Sequence, residues 1–149
     1  MNTHANLGVI REAKTDAQLA TCFPVMSQLR PALTCEDFTA RVNAQRGDGY
    51  RLVWVDIDGV VACVAGFRVM CNLAWGRFLY VDDLVTDAAH RSKGYGKSML
   101  VWLRDEARRT GCTQFHLDSG VQRKDAHRFY LREGMELTTY HFAEPVKSP

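Results

Sequence analysis

The sequence predicts an α/β domain of the α+β type, with elements in the order β-α-α-β-β-β-α-β-α-β. Three observations carry that prediction. The chain has 149 residues, 46% apolar and 24% charged, the composition of one ordinary globule around a single core. Two runs rich in β-branched and aromatic residues flank Asp56-Ile57-Asp58-Gly59, the pattern of a hairpin. A glycine-rich segment then opens an amphipathic stretch that ends at Gly111. No linker, repeat or low-complexity segment divides the chain, so residues 1–149 are expected to form a single domain.

Leu7-Gly8-Val9-Ile10-Arg11 opens the chain as a short strand. Asp16 is expected to cap a helix carrying Leu19, Ala20, Phe23 and Met26, with Pro24 kinking or shortening it. Thr34, with Asp37 three residues on, resembles a capping box and starts a second helix with Phe38 and Val42 at helical spacing, ending near Gly47. Tyr50–Val55 and Val60–Val69 form the hairpin. A turn at Asn72–Gly76 leads into a strand over Arg77–Thr86, whose apolar run is interrupted by Asp82 and Asp83. Gly96, Leu100, Leu103 and Ala107 then share one helix face, with Ser98, Asp105 and Arg109 opposite and Gly111 as the C-cap. Thr113–Leu117 is a strand, Asp125–Glu133 a helix ended by Gly134, and Glu136–Phe142 a final strand.

No apolar run approaches the ~18–20 residues that cross a bilayer, and Met1–Asn6 lacks the basic and apolar parts of a secretory leader. The expected compartment is the cytosol, with no membrane partner. The five cysteines are odd in number and show no C-x-x-C spacing, so they are expected as small core residues. The five histidines lack H-x-E or H-x-x-x-H spacing, and no metal is expected. Net charge is +2, too mild to imply nucleic acid. Its distribution is uneven. Residues 1–86 hold 8 Lys and Arg against 9 Asp and Glu, and residues 87–149 hold 11 against 8, which makes the second half the expected home of an anionic ligand.

The most informative stretch is Arg91-Ser92-Lys93-Gly94-Tyr95-Gly96-Lys97-Ser98, between a strand and a helix. Free N–H groups in a first helical turn, the helix dipole and close approach at glycine together suit a phosphate, and Arg91, Lys93 and Lys97 add charge. A dinucleotide fingerprint G-x-G-x-x-G would need glycine where Met99 stands. A Walker A loop would need glycine where Arg91 stands. Neither fits.

R-x-x-G-x-G after a strand resembles the acyl-CoA pyrophosphate loop of the GNAT superfamily of N-acetyltransferases. Tyr80-Val81-Asp82-Asp83-Leu84-Val85-Thr86 is similar to the strand before that loop in the family. Ala126-His127-Arg128-Phe129-Tyr130-Leu131-Arg132-Glu133-Gly134-Met135 resembles its A-x-x-F-Y-x-x-x-G-F segment. The element order is also the family's. The resemblance implies a mixed, mostly antiparallel central sheet flanked by helices and acetyl-CoA as cosubstrate. It places the cofactor on Leu84, Val85 and Thr86, on the loop from Arg91 to Ser98, and on Arg123 and Phe129. Two positions depart from the pattern: Arg123 stands where many members carry the Asn that contacts the pantetheine arm, and Met135 stands where an aromatic is usual.

Acetyl transfer needs a neutral amine, a polarised carbonyl and a protonated leaving thiol. An alkyl amine with a pKa near ~10.4 is almost wholly protonated at neutral pH, so a carboxylate must take its proton. Asp82 and Asp83 are the candidates. Neighbours on a strand face opposite ways, so only one can reach a given cleft unless a bulge intervenes. Resemblance to the E-D pair of small polyamine acetyltransferases favours Asp82. Tyr130, at the family's F-Y position, is the expected proton donor to the thiolate, and a backbone N–H near Leu84–Thr86 the expected carbonyl polariser. The expected partner is an amine, of a small molecule or of a protein; a homodimer is left open. The alternative is a regulatory module that binds acyl-CoA without catalysis. The acceptor cleft in this fold is shaped largely by the first two helices, where residues 14–47 carry no motif; Glu36, Asp37 and Asp48 read as surface charge.

Overall fold

The computed structural model describes residues 6–149; His4 and most of the segment read for a leader lie outside the described residues. The chain divides into two compact units, the first ending at Leu117 and the second running Asp118–Pro149.

The first unit is built on a five-stranded sheet in the order β1 (Val9–Glu12), β2 (Arg51–Ile57), β3 (Val60–Asn72), β4 (Gly76–Thr86), β5 (Gln114–Leu117). The first four pair antiparallel and β5 runs parallel to β4, so the sheet is mixed and mostly antiparallel, as expected. Between β1 and β2 come α1 (Asp16–Leu29) and α2 (Cys35–Arg46), and between β4 and β5 comes α3 (Tyr95–Arg109).

Alternation along the strands supplies two apolar faces. Leu52, Trp54 and Val64 join Leu19, Cys22, Met26, Phe38 and Val42 in one core cluster under α1 and α2. Val53, Val55, Ala65 and Phe67, also fully buried, alternate with them, and Phe67 meets Trp102 of α3 edge to face. Because both faces are covered, β2 and β3 read in the sequence as nearly unbroken apolar runs.

Thr15, not Asp16, is the N-cap of α1. Its hydroxyl accepts from the Gln18 N–H while the Gln18 side chain accepts from the Thr15 N–H, a complete capping box. Asp16 sits in the first turn and accepts from Asn43 of α2. The helix runs through Pro24 to Leu29 without being shortened. Pro24 and Ala20, whose carbonyl loses its helical donor, are both exposed, so water can serve the orphaned oxygen. Thr34 caps α2 as expected, accepting from the Asp37 N–H. Among the cysteines, Cys22 and Cys63 are buried and burial pushes both thiols up to about 12. Cys71, expected in the core, is exposed near the end of β3, whose last residues are no longer buried.

Glu106 is the one charged residue among those buried in the described core. It accepts from Arg51 of β2 and from Arg109 of its own helix, and Arg51 also donates to Glu12 of β1, so one network ties the sheet edge to α3. The Arg109 hydrogen bond, helped by Arg51 and opposed by burial, holds the Glu106 carboxyl below its ordinary value of 4.5. Folding therefore favours the ionised form: this stabilisation is full above the ordinary value and is lost as pH falls through the depressed one. Glu106→Gln is expected to cost about 3 kcal/mol at neutral pH, with the gap from the parent narrowing below about pH 4.5. Urea unfolding at both pH values measures it.

In the second unit, α4 (Lys124–Arg132) ends before Gly134, whose φ of 89° is the left-handed conformation glycine permits. The strand expected over Glu136–Phe142 does not form; the segment carries no regular structure, and Leu137, Tyr140 and Phe142 are exposed. Its residues favour strands, but no backbone ladder pairs with them among the described residues, and an unpaired strand is not stable alone.

Candidate functional site

The site begins with a miscount between two strands. Phe67 pairs with Val81, but the residue before it on β3, Gly66, pairs with Asp83, so Asp82 is an extra residue on β4. This bulge breaks the alternation that would have sent the two carboxylates to opposite faces. Both Asp82 and Asp83 line a single cleft of about 270 Å3, together with residues of α1 and α2. The two acids therefore share a cleft through the one exception that the alternation rule allows.

Each acid has its own support. The two oxygens of Asp83 are engaged separately: Oδ1 accepts from Arg30 Nε at 3.0 Å and Oδ2 from the Tyr50 hydroxyl at 2.8 Å. Arg30 also donates to the Asp82 carbonyl at 3.1 Å, which pins the bulge from the end of α1. Tyr50 is only 4% exposed, and burial, followed by the Asp83 charge and hydrogen bond, pushes its phenol well above the ordinary 10, so it remains a donor. A Cβ on Gly66 would stand 1.7 Å from the Tyr50 hydroxyl oxygen; glycine is what lets the phenol cross β3 to reach Asp83.

Asp82 is held through Oδ2, which accepts from Arg68 Nε at 3.0 Å, while another nitrogen of Arg68 donates to Gln45 of α2. Burial raises the Asp82 carboxyl above its ordinary 3.8, with the Arg68 hydrogen bond and charge pulling the other way. Raised basicity is what a proton acceptor needs.

The glycine loop follows a short turn, Ala88–His90, pinned to α1: Gln28 donates to Asp87 at 2.6 Å and accepts from the Ala88 N–H at 2.9 Å. The chain then passes through two left-handed residues, Ser92 at φ 62° and Gly94 at φ 89°. Gly94 is the N-cap of α3, with no side-chain cap and no acid in the first turn. The first helical bond runs from the Ser98 N–H to the Gly94 carbonyl, so the N–H groups of Tyr95, Gly96 and Lys97 are left at the helix end. Arg91, Ser92, Lys93, Gly94 and Lys97 are exposed around it, and Tyr95 is buried. Beside the loop, the β4–β5 ladder stops at Val81–Leu117, so Leu84, Val85 and Thr86 have a strand partner on the β3 side alone.

Arg123, Phe129 and Tyr130 belong to the second unit. Arg123 stands at the N-cap of α4, and the Phe129 and Tyr130 rings lie 5.4 Å apart between centroids. Among the described residues, no three His, Cys, Asp or Glu side chains gather as a metal site would require. No described helix is long and apolar enough to cross a membrane.

Arg30, Tyr50, Gly66 and Arg68 were not expected at the site. The signal available for them was Gly66, a lone glycine inside a β-branched run, which marks a bulge or a close approach.

A protein-family model described as the acetyltransferase (GNAT) family matches residues 17–135. The uncharacterized N-acetyltransferase YhdJ of Bacillus subtilis (strain 168) is 35% identical over 139 residues, covering 92% of this chain and 98% of that one. The chain belongs to the GNAT acetyltransferase family, and it is an N-acetyltransferase. The aminoalkylphosphonate N-acetyltransferase of Salmonella typhimurium (strain LT2) is 36% identical over 66 residues, 44% of this chain and 43% of that one. Among solved structures, the aminoglycoside N-acetyltransferase AAC(6')-Iy in complex with CoA superposes with a TM-score of 0.81 at 15% identity, over 94% of this chain and 95% of that one, a likeness of fold.

Proposed function

We propose that the whole chain acts as one domain that moves the acetyl group of acetyl-CoA directly onto a primary amine of a small molecule or a protein, with Asp82 as the base and Tyr130 as the acid. The observation that carries this reading is the bulge that turns Asp82 into the cleft beside Asp83. Asp83, with both oxygens engaged, holds the bulge and Tyr50 in place; Asp82, held through one oxygen and raised in basicity, takes the proton.

The residues present suit acetyl-CoA. An uncapped helix end with left-handed glycine at its cap and three exposed cations, Arg91, Lys93 and Lys97, fits a pyrophosphate. The one-sided stretch Leu84–Thr86 offers backbone groups to a pantetheine arm and to the acetyl carbonyl. Arg123 and Phe129 would complete the cofactor contacts. Bound there, the cosubstrate supplies an activated acyl group on a thiol leaving group. Asp82 removes a proton from the ammonium, the amine nitrogen forms the new C–N bond as the C–S bond breaks, and Tyr130 gives its proton to the departing thiolate.

Release of free thiol from acetyl-CoA in the presence of an amine panel tests the reading, and the panel includes an aminoalkylphosphonate because of the Salmonella relative. Binding of acetyl-CoA without thiol release from any amine would instead establish the regulatory module. Asp82→Asn is expected to lower kcat/KM most at moderate pH and to recover toward the amine's own pKa, where free amine forms unaided. The parent needs Asp82 ionised, so its rate should fall as pH drops through a value above the ordinary 3.8. Identical pH profiles for the two would remove Asp82 from the base role.

A further inference from the structure

We infer that the acceptor is a small primary amine that also carries an anionic group, a carboxylate, phosphate or phosphonate, read by Arg41. The inference rests on the acetyl-transfer reading and deepens it. Arg41 of α2 lines the cleft of Asp82 and Asp83 and, among the described residues, makes no hydrogen bond or ion pair. The other cations near the cleft are committed: Arg30 to Asp83 and Arg68 to Asp82. With each carboxylate already matched by an arginine, Arg41 leaves the cleft one positive charge in surplus.

That balance is wrong for a polyamine, which would bring several more cations to a site without spare negative charge. It suits a molecule whose ammonium goes to Asp82 and whose anionic end offers Arg41 two oxygens for its planar fork. Leu33, Phe38 and Val42 add apolar lining to the same cleft, which suits a short hydrocarbon spacer. The cleft, about 270 Å3, has room for a small acceptor of this kind. Glu36 and Asp37, near the start of the same helix, are exposed and do not line the cleft, and among the described residues neither forms an ion pair with Arg41.

The test measures thiol release from acetyl-CoA with butylamine, 4-aminobutanoate, 3-aminopropylphosphonate, spermidine and a lysine peptide. The two anionic amines should show the highest kcat/KM. In Arg41→Gln their KM should rise about 10- to 100-fold, the worth of a charge-assisted hydrogen bond, with kcat changed far less, and Arg41→Lys should restore part of the loss. Preference for butylamine, spermidine or the peptide would overturn the inference and leave acetyl transfer standing. So would an Arg41→Gln loss shared equally by charged and neutral amines. No thiol release from any amine would remove acetyl transfer to amines and this inference with it.

Discussion

Tyr130→Phe is expected to lower kcat by about 10²- to 10⁴-fold, the usual worth of a general acid, while acetyl-CoA binds nearly as before. The phenol is suited to the role by its reluctance to ionise. An ordinary phenol ionises near ~10 and an ordinary thiol near ~8.5, so a proton transfer from one to the other is uphill by only about 2 kcal/mol. Removing the hydroxyl leaves the ring, which is half-buried on α4 with Phe129 at 5.4 Å, so packing should survive. The variant separates chemistry from binding. A rapid-quench measurement of the acetyl-transfer step in both proteins reads the effect directly, and parent-like turnover in the variant would send the acid role elsewhere.

The parts of the site read from the sequence are those whose chemistry is local. Strand, glycine loop and helix are contiguous from Tyr80 to Ser98, and the loop's composition points to an anion site without help from distant residues. The hairpin of β2 and β3 is equally local, since Asp58 and Gly59 at positive φ mark its turn. The acidic cleft was not legible because it depends on long-range registration. Nothing within β4 reveals that Asp82 is a surplus residue; that follows only when Gly66 is set against Asp83. Tyr50 and Arg30 reach Asp83 across 33 and 53 residues of chain, beyond any periodicity rule. Glu136–Phe142 shows the converse error: its residues favour a strand, yet a strand requires a neighbour that propensity does not supply.

The proposed mechanism divides the work of the two aspartates by their environments. Asp83 has a hydrogen-bond donor on each oxygen, which fixes its orientation and occupies its lone pairs. Asp82 has a single arginine, Arg68, on one oxygen and has its basicity raised by burial. In the proposed mechanism, adjacent residues of one type thus serve as a positioning group and a proton acceptor, and the resemblance that favours the first acid gains a physical argument independent of it.

Gly96→Asp is expected to weaken acetyl-CoA binding at least about 100-fold while leaving the protein as stable as the parent or more so. The two effects have one cause. Gly96 is the second residue of α3, in ordinary helical conformation, at a helix end that has neither a side-chain cap nor an acid in its first turn. An aspartate there places its carboxylate beside the N–H groups of the first turn and the positive end of the dipole, which stabilises a helix by about 0.3–1 kcal/mol. It also removes the backbone freedom of glycine from the unfolded chain. The same carboxylate then occupies the position and matches the charge of the pyrophosphate that the loop is proposed to receive, and its repulsion falls on the ligand alone. Thermal unfolding and calorimetric titration with CoA, run on the same preparation, read the opposing shifts. Unchanged affinity in a variant of equal or higher Tm would mean that the anion binds elsewhere, whereas lost affinity with lost stability would mean that the substitution had merely damaged α3.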